Sequence, residues 1–457
     1  MGGGYPPVIV NVSNNPFVPL VESFGVPIII GTVTTEQATA WALLDTPRTL
    51  EVSPNNYKAA LASIKMTAAD AHWKHVEQIF AQRPPGPRVT KVILGRRLTP
   101  TAKVVRVTVG GTTDGNYSIQ VDADDPLVYA AAGKTAAEIR DALLALFAGH
   151  PTVSAATQGA ASIDFTAVEA GYDFTLTLAS PGGILTQTTQ TPNVGPGEDL
   201  TALRAENSDW FDILETSHSK GMILEVAKWA QTNQSHAWME TNDAAVKANT
   251  AGNVAAMLRA LGLTETSIRY HHTGAQLFTA GLFGHVGAFL PGQIQVSHRK
   301  LVGVTPKNYG AEAGVTTNFS TNNVGYYDAR GGGTTLYNYV CADGRFIESE
   351  RNKWVVKSRA EFSITVGLQN NNITAYTDDE GVVAVRSWVT DALNQLATGG
   401  GTGYIIRNSI VITTTPIADQ QPNDQAKLKI GGVNVSARVR IGTNEVEVNI
   451  FLSIIEP

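Results

Sequence analysis

Only one cysteine, Cys341, occurs among the 457 residues of this chain. No disulfide can therefore close within it, and no cysteine-rich zinc site can be assembled. Charge is sparse as well: 16% of residues are Asp, Glu, Lys or Arg, against roughly 25% in ordinary soluble domains. The balance is mildly acidic, −6 at neutral pH, which gives no basic footprint for nucleic acid. Long apolar runs are missing too. The nearest to a membrane span, Gly274 to Leu290, is interrupted by Gln276 and His285. The opening Met1-Gly2-Gly3-Gly4-Tyr5-Pro6-Pro7 has neither the basic start nor the apolar stretch of a secretory signal, and Pro6 breaks the myristoylation pattern. The expectation is a chain that does not insert into a membrane by itself.

Motifs that carry chemistry are equally scarce. Gly331-Gly332-Gly333-Thr334 and Gly399-Gly400-Gly401-Thr402-Gly403 lack the Gly-Lys-Ser/Thr ending of a phosphate loop and the spaced glycines of a dinucleotide turn. His271 and His272 are adjacent, so on a strand they point to opposite faces and share one metal poorly. His218, His236, His285 and His298 follow no His-Glu-x-x-His pattern, and no Gly-x-Ser-x-Gly elbow occurs. Cys341 ends an apolar strand run and reads as a small buried hydrophobe. Asp378-Asp379-Glu380 opens a helix, where acids suit the positive end of the dipole. Trp210, Trp229, Trp238, Trp354 and Trp388 sit in periodic segments and read as core. No catalytic, cofactor-binding or metal-binding residue is expected.

What is present favours a large folded assembly subunit. Hydrophobic residues make up 43%, enough for a substantial core. The length exceeds the ~250–300 residues at which single cores stop growing, so two or three domains are expected. Low charge suits a subunit whose faces are covered by copies of itself. Pro6, Pro7, Pro16, Pro19 and Pro27 exclude a helix through most of residues 1–30, and Val8-Ile9-Val10-Asn11-Val12 between them is strand-forming. This is an extended arm; about 25 such residues reach up to roughly 80 Å.

Residues 55–81 carry one helical stripe through Tyr57, Leu61, Ile64, Ala68, Ala71, Ile79 and Phe80, stopped at Arg83-Pro84-Pro85. A short strand follows at 91–94. From Thr101 to Pro192 the composition turns to Thr, Ala and Gly, with strands at 104–109, 117–121, 162–166 and 174–178 and a helix at 135–147. This reads as a small α+β domain, 101–192, inserted into an α/β domain formed by 31–100 and 193–298. In the latter, strands at 210–214, 236–239 and 268–271 alternate with helices at 220–231, 252–261 and 276–289. Residues 299–457 read as α+β. Leu336–Cys341 and Arg345–Glu348 flank a hairpin turn at Asp343-Gly344, and helices at 352–368 and 378–396 precede a strand at 404–413.

The last two strands are the most regular. Val433, Val435, Ala437, Val439 and Ile441 alternate with polar residues, and so do Val446, Val448, Ile450, Leu452 and Ile454. Pairing across Gly442–Asn444 sets Val439 against Val448 and Arg440 against Glu447. The outer edge of the final strand is then bare, an aggregation hazard unless a partner pairs with it.

From Arg299 onward the chain resembles the tail sheath proteins of contractile-tailed bacteriophages. The ordered series is Arg299-Lys300-Leu301-Val302-Gly303-Val304-Thr305-Pro306, Thr321-Asn322-Asn323-Val324-Gly325-Tyr326-Tyr327, Gly344-Arg345-Phe346-Ile347-Glu348, Trp354, the helix from Asp378, Pro416–Pro422 and the terminal β-pair. Gly331–Thr335 departs from it. The resemblance implies an α/β and α+β multidomain sheath core with 101–192 as the outer domain. It implies six-membered rings stacked helically around an inner tube, contracting by rearrangement. The arms join sheets of neighbouring subunits; here those arms carry Val8, Ile9, Val10, Val12, Val446, Val448, Ile450, Leu452 and Ile454. The implied partners are the chain itself, the tail tube, baseplate and terminator proteins. DNA passes inside the tube without touching this chain, and the helix opened by Asp378, Asp379 and Glu380 is the expected tube-facing element. The setting would be a virion tail, assembled in the host cytoplasm.

A sheath of a tailocin or a type VI secretion device would read almost alike. A different-class alternative is an enzyme with an α/β catalytic domain at 207–290; it leaves the two extended ends unexplained.

Overall fold

The computed structural model describes residues 8–11, 25–97, 100–122, 124–289, 299–330, 333–370, 379–397, 405, 409–413, 433–438 and 445–454. Within them the chain is mixed α/β and α+β, built on an eight-stranded sheet. After a first strand β1 (Val8–Asn11) come β2 (Pro27–Gly31), α1 (Thr35–Trp41), β3 (Thr49–Val52), α2 (Tyr57–Ser63), α3 (Ala71–Phe80) and β4 (Val92–Arg96). Every residue of β2 is buried, as a parallel strand covered on both faces requires. Ile28 and Ile30 enter one core and Ile29 the other. The single helix expected over 55–81 is in fact two. Lys65 takes a left-handed φ of +64°, and in the loop that follows Asp70 accepts from the Thr67 amide at 2.6 Å, just before the second helix begins. Leu61 and Ile64 before the break share a core with Val76 and Ile79 after it, which is why the periodicity runs through.

An excursion follows: β5 (Val104–Val109), β6 (Gly115–Val121), β7 (Leu127–Ala131), α4 (Ala136–Leu146), β8 (Val153–Gln158), β9 (Ser162–Ala167), β10 (Leu176–Ala179) and β11 (Leu185–Thr191). Its strands form two antiparallel sheets, ordered β11-β5-β9-β8 and β10-β6-β7. A bridge between Thr101 and Val194 brings its ends together. Strands β7, β8 and β11 escape the sequence reading; β11 is threonine-rich with only Leu185 buried. Val107, Ile119 and Phe165 belong to the same core as Leu200, Trp210 and Ile223, so the excursion's core is continuous with that of the large α/β layer.

The chain returns through α5 (Pro196–Glu206), β12 (Asp212–Glu215), α6 (Lys220–Asn233), β13 (His236–Thr241), α7 (Ala244–Ala248), α8 (Val254–Ala260), β14 (Thr266–Tyr270) and α9 (Phe278–Val286), then α10 (Val315–Thr321), β15 (Gly325–Arg330) and β16 (Gly333–Tyr337). The sheet order is β16-β15-β14-β13-β12-β2-β4-β3, parallel from β15 to β4 with an antiparallel strand at each edge. Strands on both sides of residue 298 thus share one sheet. Trp41, Val76 and Phe283 cover one face, and Leu200, Val226 and Leu258 the other.

Two further expectations differ from what the fold contains. The hairpin partner of β16 is β15, not 345–348. Asp343-Gly344 makes a turn with Gly344 at φ +94°, closed by one bridge between Val340 and Phe346, because a helix starts at Ile347. His271 and His272 lie just beyond β14, free of strand alternation, and their rings approach to 4.5 Å.

The C-terminal part comprises α11 (Ile347–Asn370), α12 (Asp379–Ala397), β17 (Val411–Thr413), β18 (Val433–Arg438) and β19 (Glu445–Ile454). A four-stranded antiparallel sheet joins both chain ends in the order β1-β19-β18-β17. Its register corrects the sequence reading. Val448 faces Val435 rather than Val439, and Arg438 faces Glu445; Val439 and Arg440 lie outside the described residues. The slip is two full pleats. Such an even slip keeps every valine on its face, so apolar alternation cannot distinguish the two registers.

Candidate assembly surface

Strand order reverses between β2 and β12, the place where open α/β sheets commonly bind ligands beyond the carboxyl ends of their strands. Here that crevice is filled from within. A Cβ on Gly31 would stand 2.3 Å from Thr216 Oγ1 and 2.8 Å from His72 Cε1. His72 Nε2 lies 3.2 Å from the Gly95 carbonyl, His75 Nδ1 2.8 Å from that of Ala71, and the rings of His75 and His218 are 5.8 Å apart. Burial holds His72 down to about 4; burial and then His218 hold His75 down to about 3. Both imidazoles are neutral at pH 7. Glu215 accepts from the amides of Ser217 (2.8 Å) and His218 (2.9 Å), while burial pushes its carboxyl above the usual range.

The start of α6, where a helix could hold a phosphate, is also taken. Glu169, between β9 and β10 of the excursion, accepts from the Gly221 amide at 3.0 Å and from the Ser219 hydroxyl. The chain supplies its own anion there. Among the described residues no group of three or more His, Cys, Asp or Glu is placed to hold a metal ion.

At the opposite end of the sheet, α11 docks through a buried polar seam. Arg351 reaches Asp212, at the start of β12, at 3.4 Å and the Gly287 carbonyl at 3.4 Å. Trp238 Nε1 donates to the other Asp212 oxygen at 2.6 Å. Trp354 Nε1 donates to Glu265 at 2.9 Å and Lys357 to Gln234 at 2.6 Å. Burial pushes Glu265 up to about 7 and also raises Asp212 despite Arg351 beside it. Arg351 stays charged, since a guanidinium keeps its proton in proteins. Sequence reading missed this seam. The signal was the run Glu348-Ser349-Glu350-Arg351-Asn352, whose polarity resembles a solvated face although all five residues are buried.

The expected strand-addition residues fall in the terminal sheet. Val8 pairs with Ile454 and Val10 with Leu452, whereas Ile9 pairs with Ser453 at the alternate register position. Val446, Val448 and Ile450 pair with Ala437, Val435 and Val433. Val12 lies outside the described residues. The row Ile412–Val435–Val448 crosses three strands, with Ile412 and Val435 buried. The alternate rows are polar: Thr413–Asn434–Asn449 and Ser436–Glu447. Strand β19 packs against α11, so the sheet built from both chain ends is seated on the helix anchored by the polar seam.

Helices α11 and α12 pack on each other around an open groove of about 450 Å³, lined by Phe362, Val366 and Trp388 with Arg359 and Asp391. Trp388 lies against Gly367, where a Cβ would meet its ring at 2.3 Å. It borders this groove and is only partly buried, unlike Trp210 and Trp238 in the core. Phe362 and Val383 are 47% and 64% exposed. Asp379 and Glu380 stand in the first turn of α12; Asp378, His298, Gly399–Gly403 and Pro416–Pro422 lie outside the described residues. No described helix is long and apolar enough to cross a membrane.

No protein-family model matches the chain, and no curated protein matches it in sequence. Among solved structures it is similar to the sheath tail protein of Desulfitobacterium hafniense, at 11% identity over 98% of this chain and 100% of that one, with a TM-score of 0.48.

Proposed function

We propose that this chain is a structural subunit of a contractile tail sheath, polymerising around an inner tube by strand exchange between neighbouring copies. The observation that carries the reading is the terminal sheet. Its strands come from opposite ends of the chain, β1 beside β19, so either end can be replaced by the same strand of another copy. Strand addition supplies main-chain hydrogen bonds at about 0.5–1.5 kcal/mol net each, repeated at every subunit. A head-to-tail contact that does not close yields an open helical polymer. The ordered residue series from Arg299 to the terminal strands gives the resemblance that names the assembly.

In this reading the part of residues 1–30 that precedes β2 is an arm, 31–100 with 193–298 and 299–457 are sheath regions that share the large sheet, and 101–192 faces outward. Six-membered rings stack around a tube protein, between baseplate and terminator proteins. Contraction is a rigid-body rearrangement between two packings, driving the tube through a host envelope for genome delivery from a virion. Asp378, Asp379 and Glu380 start the helix facing the tube. A phage tail is favoured over a tailocin or secretion device by the family resemblance alone. The enzyme reading is disfavoured by Glu169, which takes the Gly221 amide and the Ser219 hydroxyl at the start of α6, where an anionic ligand would bind.

Negative-stain electron microscopy of the full chain beside a variant lacking residues 1–20 tests this. Long hollow tubes from the full chain, lost on truncation, are the expected result. A discrete small oligomer unaffected by the truncation would sink the reading.

A further inference from the structure

The pairing of β1 with β19 of the same chain has a consequence for how assembly starts. We propose that β1 is an intramolecular strap that closes the free subunit, and that a second copy's β1 can enter only after this one leaves. The proposal rests on the strand-exchange reading above and adds its regulation.

Strand β1 runs antiparallel along the outer edge of β19, with Val8 opposite Ile454, Ile9 opposite Ser453, Val10 opposite Leu452 and Asn11 opposite Phe451. Strand β18 pairs with β19 over Glu445–Ile450. Over Phe451–Ile454 the edge that takes β1 is already occupied in the closed chain, and an occupied edge cannot template the same strand of another chain. The strap is also short. It covers only Phe451–Ile454 of the strand Glu445–Ile454, and among the described residues no strand lies on the outer edge of Glu445–Ile450.

The replacement strand has the same sequence as the strap, so the exchange breaks and remakes the same ladder. Its direction is then set by concentration rather than by new contacts. A strand tethered to its own edge competes at an effective concentration on the order of millimolar. Free subunits in dilute solution stay closed, while subunits already gathered on a template reach the concentration at which exchange is even. Fully extended, residues 12–24 span at most about 45 Å, so a released β1 reaches only a neighbour within that distance. The strap therefore suppresses polymerisation away from the template and permits it there.

The test uses a fluorescein-labelled peptide of residues 5–15 as the incoming strand, so it does not require tubes to form. Three proteins are titrated: the full chain, a variant lacking residues 1–11, and full chains carrying Val10→Cys with Leu452→Cys or Ile9→Cys with Ser453→Cys, oxidised. The two pairs are consecutive in register, so one is a non-hydrogen-bonded pair with the spacing a disulfide needs. Native Cys341 is buried and stays out of the exchange. At least one pair should close within a single chain, seen as a faster monomer band without reductant. The truncated variant should bind the peptide at least ten-fold more tightly than the full chain, and the oxidised chain should not bind until reduced. Equal binding by full and truncated chains overturns the strap, as does failure of both pairs to close within one chain. Since peptide capture is read on single subunits, the strap can fail while tubes still form, and tubes can fail while the strap stands.

Discussion

Two kinds of buried ionisable residue give the chain opposing responses to acid. His72 and His75 are neutral in the fold because burial depresses them to about 4 and about 3. A depressed histidine contributes stability that is present above its unfolded value near 6.5 and lost as pH falls towards the folded value. Glu265 is the reverse. Raised by burial to about 7 from 4.5, it contributes stability below pH 4.5 that is lost as pH rises through 7. Between pH 7 and 5 each histidine therefore costs up to about 2 kcal/mol, and the carboxyl returns a similar amount. Urea midpoints at the two pH values should separate them. His75→Gln should flatten the acid-induced loss, and Glu265→Gln should steepen it. Two variants that simply parallel the parent would contradict both assignments. Glu169 acts at the same scale: it accepts from the Gly221 amide and the Ser219 hydroxyl, tying the excursion to the start of α6.

Helix α11 supports the terminal sheet, and α12 packs on α11 with Trp388 against Gly367. Gly367→Val places a branched side chain where a single Cβ already lies 2.3 Å from the ring. Such overpacking typically costs about 1–3 kcal/mol. Hydrogen exchange across 379–397 should rise several-fold in this variant while 236–241 in the central sheet is unchanged; unchanged exchange in α12 would contradict the contact. Elements of this kind were partly legible in the sequence. The buried parallel strand at Trp238–Met239 is readable as an apolar run between turn signals, whereas Ile28–Ile30, just after Pro27, reads as the end of the extended arm although it forms a central strand of the large sheet. Both long C-terminal helices are readable from their period. The break at Lys65 is hidden because both helices bury the same stripe. The partner of β16 depends on a contact across the sheet that no local signal encodes. Even the terminal strands, unmistakable as strands, leave their register open, because registers two pleats apart put the same valines on the same face.

For the whole molecule, the candidate site lies in its two ends rather than in a pocket. The sequence made those ends visible through prolines, alternation and a strand with a bare edge. It did not reveal that β1 covers the edge in the same chain, because pairing between residues 8–11 and 451–454 leaves no pattern in either segment alone. The central claim is that copies are joined by exchanging this strand. It is tested most directly by mixing two chains that each carry one added cysteine, Val10→Cys or Leu452→Cys, beside buried Cys341, under assembling conditions and oxidising them. Neither chain can close on itself, so a disulfide joins two molecules only if the β1 of one lies on the β19 of another. A cross-linked dimer on a non-reducing gel, absent when either chain is oxidised alone, is the predicted result. Polymers that form with both cysteines remaining free would contradict strand exchange as the link between subunits.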